Sequence, residues 1–414
     1  MMAFDEDMGE APGSTFSGRQ YRWNAEDDRR ERRAPGPVAT PYEWTDPARV
    51  PRRQWLWCHH LIREFISGTI APGGVGKTAL KVAEALSMVS GRDLLGVGHT
   101  RPPMRVWLLN LEDPREEMVR RVQAAAKHYG LGRDDIAGRL FLDLGREQDF
   151  VIAEGGKHGP IIRRPIVDAV VAQLCQNKID VLIIDPFVSS HRLAENDNTG
   201  MDLAAKEWAR VASAANCAID LVHHSRKLGP DAEVTTEAAR GGKALMDACR
   251  SVVTLNRMSK QEGEEAGVDN HRLYFRTLGD KSSMAPPADK SDWYRLESVD
   301  LENWGAINEP SDHVGVVTAW QWPNPMDDVT VAHLRAAQAI VAKGKWRENV
   351  QAKDWVGRAV AQAMKLDPDD KADRQKIKGA LKAWMANGMF VRVVGVDAHG
   401  DERPFVEVGE WATD

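Results

Sequence analysis

The chain has 414 residues, enough for a full core and two or three domains, with 43% apolar residues, a mean hydropathy of -0.44 and a formal net charge of -6. That composition is of the soluble globular class, no apolar run reaches the length of a membrane span, and the acidic, polar N-terminus has neither a secretory nor a transit-peptide composition, so a cytoplasmic protein without a membrane partner is expected. The four cysteines (Cys58, Cys175, Cys217, Cys249) lie far apart and spell neither a disulfide frame nor a zinc site, and the negative charge leaves any nucleic-acid contact to local basic patches.

Residues 1–40 hold acids first and arginines later, with few large apolar side chains to offset ordering entropy, and are expected to be a disordered tail. From Pro41 to Trp57 three prolines and three tryptophans predict an extended segment. Cys58-His59-His60 resembles metal chemistry, but adjacent residues of a strand point to opposite faces, so the structural reading is preferred.

The apolar run Phe65 to Ile70 leads into Ala71 to Thr78, APGGVGKT, and then into a helical pattern beginning near Lys77. Strand, Gly-rich loop and helix form the setting a phosphate-binding loop requires, although Ala71 stands where the usual pattern has glycine. Gly73, Gly74 and Gly76 let successive N–H groups face one concavity, and the helix adds the positive end of its dipole. Pro72, Gly73, Gly74, Val75, Gly76, Lys77, Thr78 and Ala79 are therefore the expected nucleotide-binding stretch. Lys77 would reach the β/γ-phosphates, and the Thr78 hydroxyl would hold Mg²⁺.

Apolar runs then alternate with helical patterns, which predicts a mostly parallel sheet with helical crossovers. Strands are expected at Met104–Leu111, Leu140–Leu144, Ile179–Pro186, Ala218–Val222, Ser251–Leu255 and Arg272–Arg276, and helices at Pro114–Tyr129, Pro165–Asn177 and Met201–Ala215. Residues 301–328 read as a linker. Beyond them, three helical segments (Val331–Ala342, Ala352–Lys365, Lys371–Ala386) precede two alternating runs, Phe390–Val396 and Pro404–Val408, so residues 329–414 predict a small winged helix-turn-helix domain. On its third helix Ile377, Leu381 and Trp384 share a face, while Gln375, Lys378 and Lys382 point elsewhere. Lys378 and Lys382 could meet a phosphate backbone, and a protein-docking role for this domain stays open beside DNA contact.

In open parallel sheets ligands sit beyond the carboxyl ends of the strands. The candidates there are Glu112, Asp185, His223 and His224. Asp185, after four apolar residues, suits a magnesium aspartate, or a cap for the turn before Pro186. Glu112 suits a base that deprotonates an attacking water, although Glu112-Asp113-Pro114 also reads as a helix start. His223 or His224 could sense a γ-phosphate by hydrogen bonding.

In order and spacing, APGGVGKT, LLNLEDP (Leu108–Pro114), VLIIDP (Val181–Pro186), VHHSRK (Val222–Lys227) and ARGGKALMDACR (Ala239–Arg250) resemble the RecA-like hexameric helicases, most closely the plasmid-type replicative helicase RepA and its relatives, over roughly Trp44 to Leu296. The resemblance implies an α/β RecA-like P-loop core over residues 41–300, with ATP and Mg²⁺ as cofactors. It implies Lys77 and Thr78 on phosphate and Mg²⁺, Glu112 as catalytic base, Asp185 as magnesium aspartate and His224 as the link from γ-phosphate to DNA-contacting loops. Arg250 would be the finger reaching a neighbouring subunit's ATP, with Arg240 competing for that role and Lys281 as a second cation. Single-stranded DNA, further copies of the chain in a hexameric ring, and a primase or initiator protein are the implied partners. The loops Ser189–Thr199 and Ser225–Arg240, the second carrying Arg226, Lys227 and Arg240, are the candidates for strand contact; neither holds an aromatic on which bases could stack.

A GTPase is excluded because Asn177-Lys178-Ile179-Asp180 precedes Asp197-Asn198-Thr199-Gly200, reversing the required order, and a dinucleotide site is excluded by Lys77-Thr78. The remaining alternative is a RecA-like ATPase without unwinding activity, serving as a DNA-bound regulator or an assembly or loading factor.

Overall fold

The computed structural model describes residues 38–413 except 99, 195–196, 227–228, 230–231, 239–242, 287, 289, 306–308 and 398–399. The tail expected at 1–40 lies almost wholly outside the described residues. The chain divides into Met1–Arg52 and Arg53–Asp414. In the first unit the described part carries a 3-10 turn, Pro47–Arg49, started by Asp46, whose side chain accepts the Ala48 N–H at 2.9 Å.

In the second unit a short antiparallel ribbon, Trp55–Trp57 with Leu61–Ile62, precedes the central sheet. The sheet strands are β1 (Ile66–Ala71), β2 (Val106–Asn110), β3 (Leu140–Leu144), β4 (Val181–Asp185), β5 (Ala218–His224), β6 (Ser251–Arg257), β7 (Tyr274–Ser282), β8 (Asp292–Asp300) and β9 (His313–Trp320). Their spatial order is β9-β8-β7-β6-β1-β5-β4-β2-β3. From β6 to β3 every neighbour is parallel; β7, β8 and β9 extend the sheet antiparallel beyond β6. This is the α/β architecture with a large, mostly parallel sheet expected of a RecA-like P-loop core. β1, β2 and β4 are buried at every residue, as strands covered on both faces must be.

Helices α1 (Lys77–Ser90) and α2 (Arg115–Tyr129) cover one face through Leu80, Ala83, Leu86, Met118 and Val122. Helices α3 (Arg164–Gln176) and α4 (Asn198–Ala214) cover the other through Val170, Leu174, Met201, Ala205 and Trp208. The sheet's pleat makes this possible: Ile66 and Ile70 of β1 face one layer and Ala71 the other.

The linker expected at 301–328 is corrected. His313–Trp320 is β9, paired with β8 from Trp293↔Trp320 to Asp300↔His313. Val316 and Val317 of β9 are buried in the α1–α2 layer, and the Tyr129 hydroxyl donates to the Val317 carbonyl, so tertiary partners turn this stretch into a sheet edge. β7 begins at Tyr274 and runs to Ser282, past the expected Arg276, because β6 offers it a partner along that length.

Between β6 and β7 lies a short helix, α5 (Lys260–Ala266), capped reciprocally by Ser259 and Glu262. The chain beyond β9 builds a core of its own. Helices α6 (Val331–Val341), α7 (Val356–Met364) and α8 (Lys371–Ala386) enclose it, with Trp355, Val360, Ile377, Leu381 and Trp384 at its centre. Strands β10 (Phe390–Val396) and β11 (Glu402–Val408) form an antiparallel hairpin, and Trp346–Arg347 pairs with β11 on its other side. The Lys371 ammonium at the start of α8 donates to the Val268 carbonyl just past α5, joining this group to the sheet.

Candidate functional site

At the end of β1 the chain turns through Gly76, whose φ of 107° is a left-handed conformation that favours glycine, and enters α1. No side chain caps that helix, so its first N–H groups face the concavity made by the preceding loop. Lys77 Nζ lies 2.8 Å from His224 Nδ1, and Thr78 Oγ1 donates to Asp185 Oδ2 at 2.6 Å. Both contacts follow from strand order. β5 lies between β1 and β4, and its last residue, His224, pairs in register with Ala71.

Glu112 is placed from the next strand. Asn110 of β2 pairs with Asp185, and its side-chain Oδ1 accepts the N–H of Glu112 at 3.0 Å and of Asp113 at 2.7 Å. This turn bends the chain as it leaves the sheet and brings Glu112 Oε1 to 4.0 Å from His224 Nε2. Lys77, Thr78, Glu112, Asp185 and His224 thus converge at the carboxyl ends of four strands.

The electrostatics suit an anionic ligand that brings a cation. Burial pulls the Lys77 ammonium below the usual lysine range, against the pull of Asp185 and Glu112. Burial raises the Asp185 carboxyl, opposed by the Thr78 hydrogen bond and by Lys77. Each group is desolvated ahead of its ligand, as perturbed groups at functional sites commonly are. The hydroxyl of Thr78 and the carboxylate of Asp185 are hard oxygen donors of the kind magnesium takes, so the residues present fit Mg²⁺ with a triphosphate. The site is a nucleotide-binding P-loop.

The remaining candidates fall elsewhere. Arg250 lies at the amino end of β6: its N–H donates to Ile66 O at 3.1 Å, and its exposed guanidinium stands 6.0 Å from the Phe65 ring. That is the opposite end of β1 from the phosphate loop, about 20 Å away at strand rise. Lys281 joins it there, pairing with Val252 and donating from Nζ to Met246 O at 2.7 Å. Arg226 is exposed, and its N–H donates to Ala238 O at 2.8 Å; Lys227 and Arg240 lie outside the described residues, as do 195–196 of the loop Ser189–Thr199. His223 is buried beside Phe187, its ring 6.1 Å from that ring. Lys382 on α8 is exposed and Lys378 half-buried.

Cys58-His59-His60 is structural, as expected. The buried His60 ring contacts Ser251 Oγ at 3.2 Å and Thr69 Oγ1 at 3.3 Å, and no metal-holding cluster of His, Cys, Asp or Glu occurs among the described residues. Sequence reading missed Arg257, whose Nη2 donates to the Gly73 carbonyl inside the phosphate loop at 2.9 Å. Its signal was available: β6 neighbours β1, and a cation at its carboxyl end falls beside the loop.

Residues 29–230, just under half of the chain, match the family model described as an AAA domain (AAA_25). Among solved structures the chain is similar to the ATPase domain of a helicase, at 14% identity and a TM-score of 0.40 over 56% of this chain and 81% of that one. It is also similar to the "Crystal structure of the RadB recombinase", at 14% identity and a TM-score of 0.37 over 57% of this chain and 88% of that one. The family match and the P-loop geometry together support an ATPase. Among the described residues no helix is long and apolar enough to cross a membrane.

Proposed function

We propose that this protein is an ATP-dependent DNA helicase of the replicative, RepA-like type, hydrolysing ATP at the subunit interfaces of a hexameric ring while moving on single-stranded DNA. The observation that carries the reading is the position of His224. It contacts Lys77, stands 4.0 Å from Glu112, and ends a strand that runs directly into the Ser225–Arg240 loop. One side chain therefore faces the phosphates, the base and the loop that would touch DNA.

In this reading the backbone of Pro72–Ala79 and the Lys77 ammonium hold the triphosphate. Thr78 and Asp185 hold Mg²⁺, which when bound would offset charge on the phosphates. Glu112 accepts the proton of the attacking water, and His224 orients that carboxylate against Lys77. Arg250, with Lys281 beside it, is too far from its own phosphate loop and would serve the loop of a neighbour. A cation donated head-to-tail in this way suits a closed ring. Arg226, Lys227 and Arg240 would line the channel, and Lys378 and Lys382 of a winged-helix domain would give a second contact. A primase or initiator protein would be the further partner.

A second reading, an ATPase without unwinding that recruits protein to DNA, is favoured by one observation: β10, at the edge of the C-terminal sheet, leaves Val394 73% and Val396 55% exposed. Displacement of a labelled strand from a forked duplex by the purified chain, with ATP and Mg²⁺, separates the two. The helicase reading expects displacement that Lys77→Ala abolishes; ATP hydrolysis without displacement would overturn it in favour of the second.

A further inference from the structure

At the carboxyl end of β6 two adjacent side chains grip two different loops. Asn256 is buried, and its side-chain amide bonds one residue twice: Oδ1 accepts the Val234 N–H at 2.6 Å and Nδ2 donates to the Val234 carbonyl at 3.0 Å. The amide stands in for a strand neighbour and fastens residues 232–238 to the sheet. Arg257 follows and points to the opposite face of the strand, as the pleat requires. Its exposed guanidinium bonds the Gly73 carbonyl, and a Cβ at Gly74 would come within 3.2 Å of the same nitrogen.

The fastened segment has further ties. Glu233 pairs with Arg276 of β7 at 3.0 Å, and the Thr236 N–H donates to Asp280 of the same strand. Just past β5, the Ser225 N–H donates to the Ala71 carbonyl of the phosphate-loop strand at 3.0 Å, and the Arg226 N–H donates to Ala238 O at 2.8 Å. Residues 225–226 and 232–238 are thus tied to each other and held between β1 on one side and β6 and β7 on the other.

We propose that Asn256 and Arg257 form a clamp that couples the phosphate loop to residues 232–238. Arg257 is a cis residue of the nucleotide site. When a triphosphate occupies the loop, its guanidinium exchanges the neutral Gly73 carbonyl for an anionic phosphate oxygen, a bond about twice as strong. The resulting displacement at the end of β6 is carried by Asn256 into Val234 and its neighbours. Nucleotide state and the conformation of this segment are then linked, and linkage is reciprocal. The clamp stands on the P-loop alone; only the identity of what the segment touches rests on the helicase reading.

The test is backbone hydrogen exchange of residues 232–238 in the full chain, saturated with Mg²⁺ and either ADP or a non-hydrolysable ATP analogue, saturation being checked with a fluorescent nucleotide. Wild type is expected to show a change in exchange of about fivefold or more between the two states. Arg257→Ala, an exposed replacement, is expected to lose that change while saturated, and Arg257→Lys to keep part of it. The clamp is overturned if Arg257→Ala retains the full change, or if wild type shows none. Anisotropy of a labelled oligothymidylate in the same two states tests the helicase reading separately: no binding in either state would remove DNA as the segment's partner and leave the exchange result to decide the clamp.

Discussion

The five residues at the strand ends divide by what each could offer a reaction. Lys77, Thr78 and Asp185 bind charge; Glu112 is more than half exposed at its side chain and can meet a water molecule. Replacing Glu112 with glutamine keeps shape and the bond of Asn110 to its N–H while removing the base. Glu112→Gln is therefore expected to bind ATP as wild type does and to lose roughly 10²- to 10⁴-fold in kcat, read as phosphate release at saturating ATP. All five residues could be found by reading, because each ends or follows an apolar run and the sheet puts such ends together. Arg257 could not be placed in the same way. Its role depends on β6 lying next to β1, and nothing in Leu255-Asn256-Arg257 announces that neighbour.

At the scale of elements, α1 is held on the sheet by a buried ion cluster as well as by its apolar face. Lys81, one turn beyond Lys77, is 1% exposed and places Nζ 2.8 Å from Asp220 of β5 and 2.7 Å from Glu84. Asp220 also accepts from Thr69 at 3.0 Å and lies 3.4 Å from His60. Burial alone would raise the Asp220 carboxyl; Lys81 and His60 outweigh it and hold it well below the usual carboxylate range. Lys81→Met strips the carboxylate of its main partner and is expected to cost about 3–5 kcal/mol in urea unfolding, with Asp220→Asn added to it recovering part of the loss. The parallel strands and their helices were legible because a doubly covered strand is apolar throughout. β8 and β9 were not: Trp293-Tyr294-Arg295-Leu296 mixes burial with exposure, and a strand such as His313–Trp320 exists because of a partner that periodicity does not reveal. The cluster around Lys81 was equally hidden, since its members come from separate segments of the chain.

For the whole molecule, the placement of Arg250 and Lys281 at the amino end of β6 and the phosphate loop at the carboxyl end of β1 makes each subunit two-ended. A single copy would hold a nucleotide with its finger pointing away. Arg250→Ala is accordingly expected to retain ATP binding while hydrolysis falls by about 10³-fold or more, the scale at which such fingers act. Mixing it with Lys77→Ala, so that one copy lends the arginine and the other the loop, should restore part of the turnover; full hydrolysis by Arg250→Ala alone would contradict the arrangement. The last consequence concerns the path from β9 into α6. Pro325 of that path rests against Gly379 in the middle of α8, where a Cβ would overlap the proline ring. Even an alanine in place of Gly379 would wedge that helix off the polypeptide leading to it, so the pose of the chain's last stretch depends on a bare backbone at one turn.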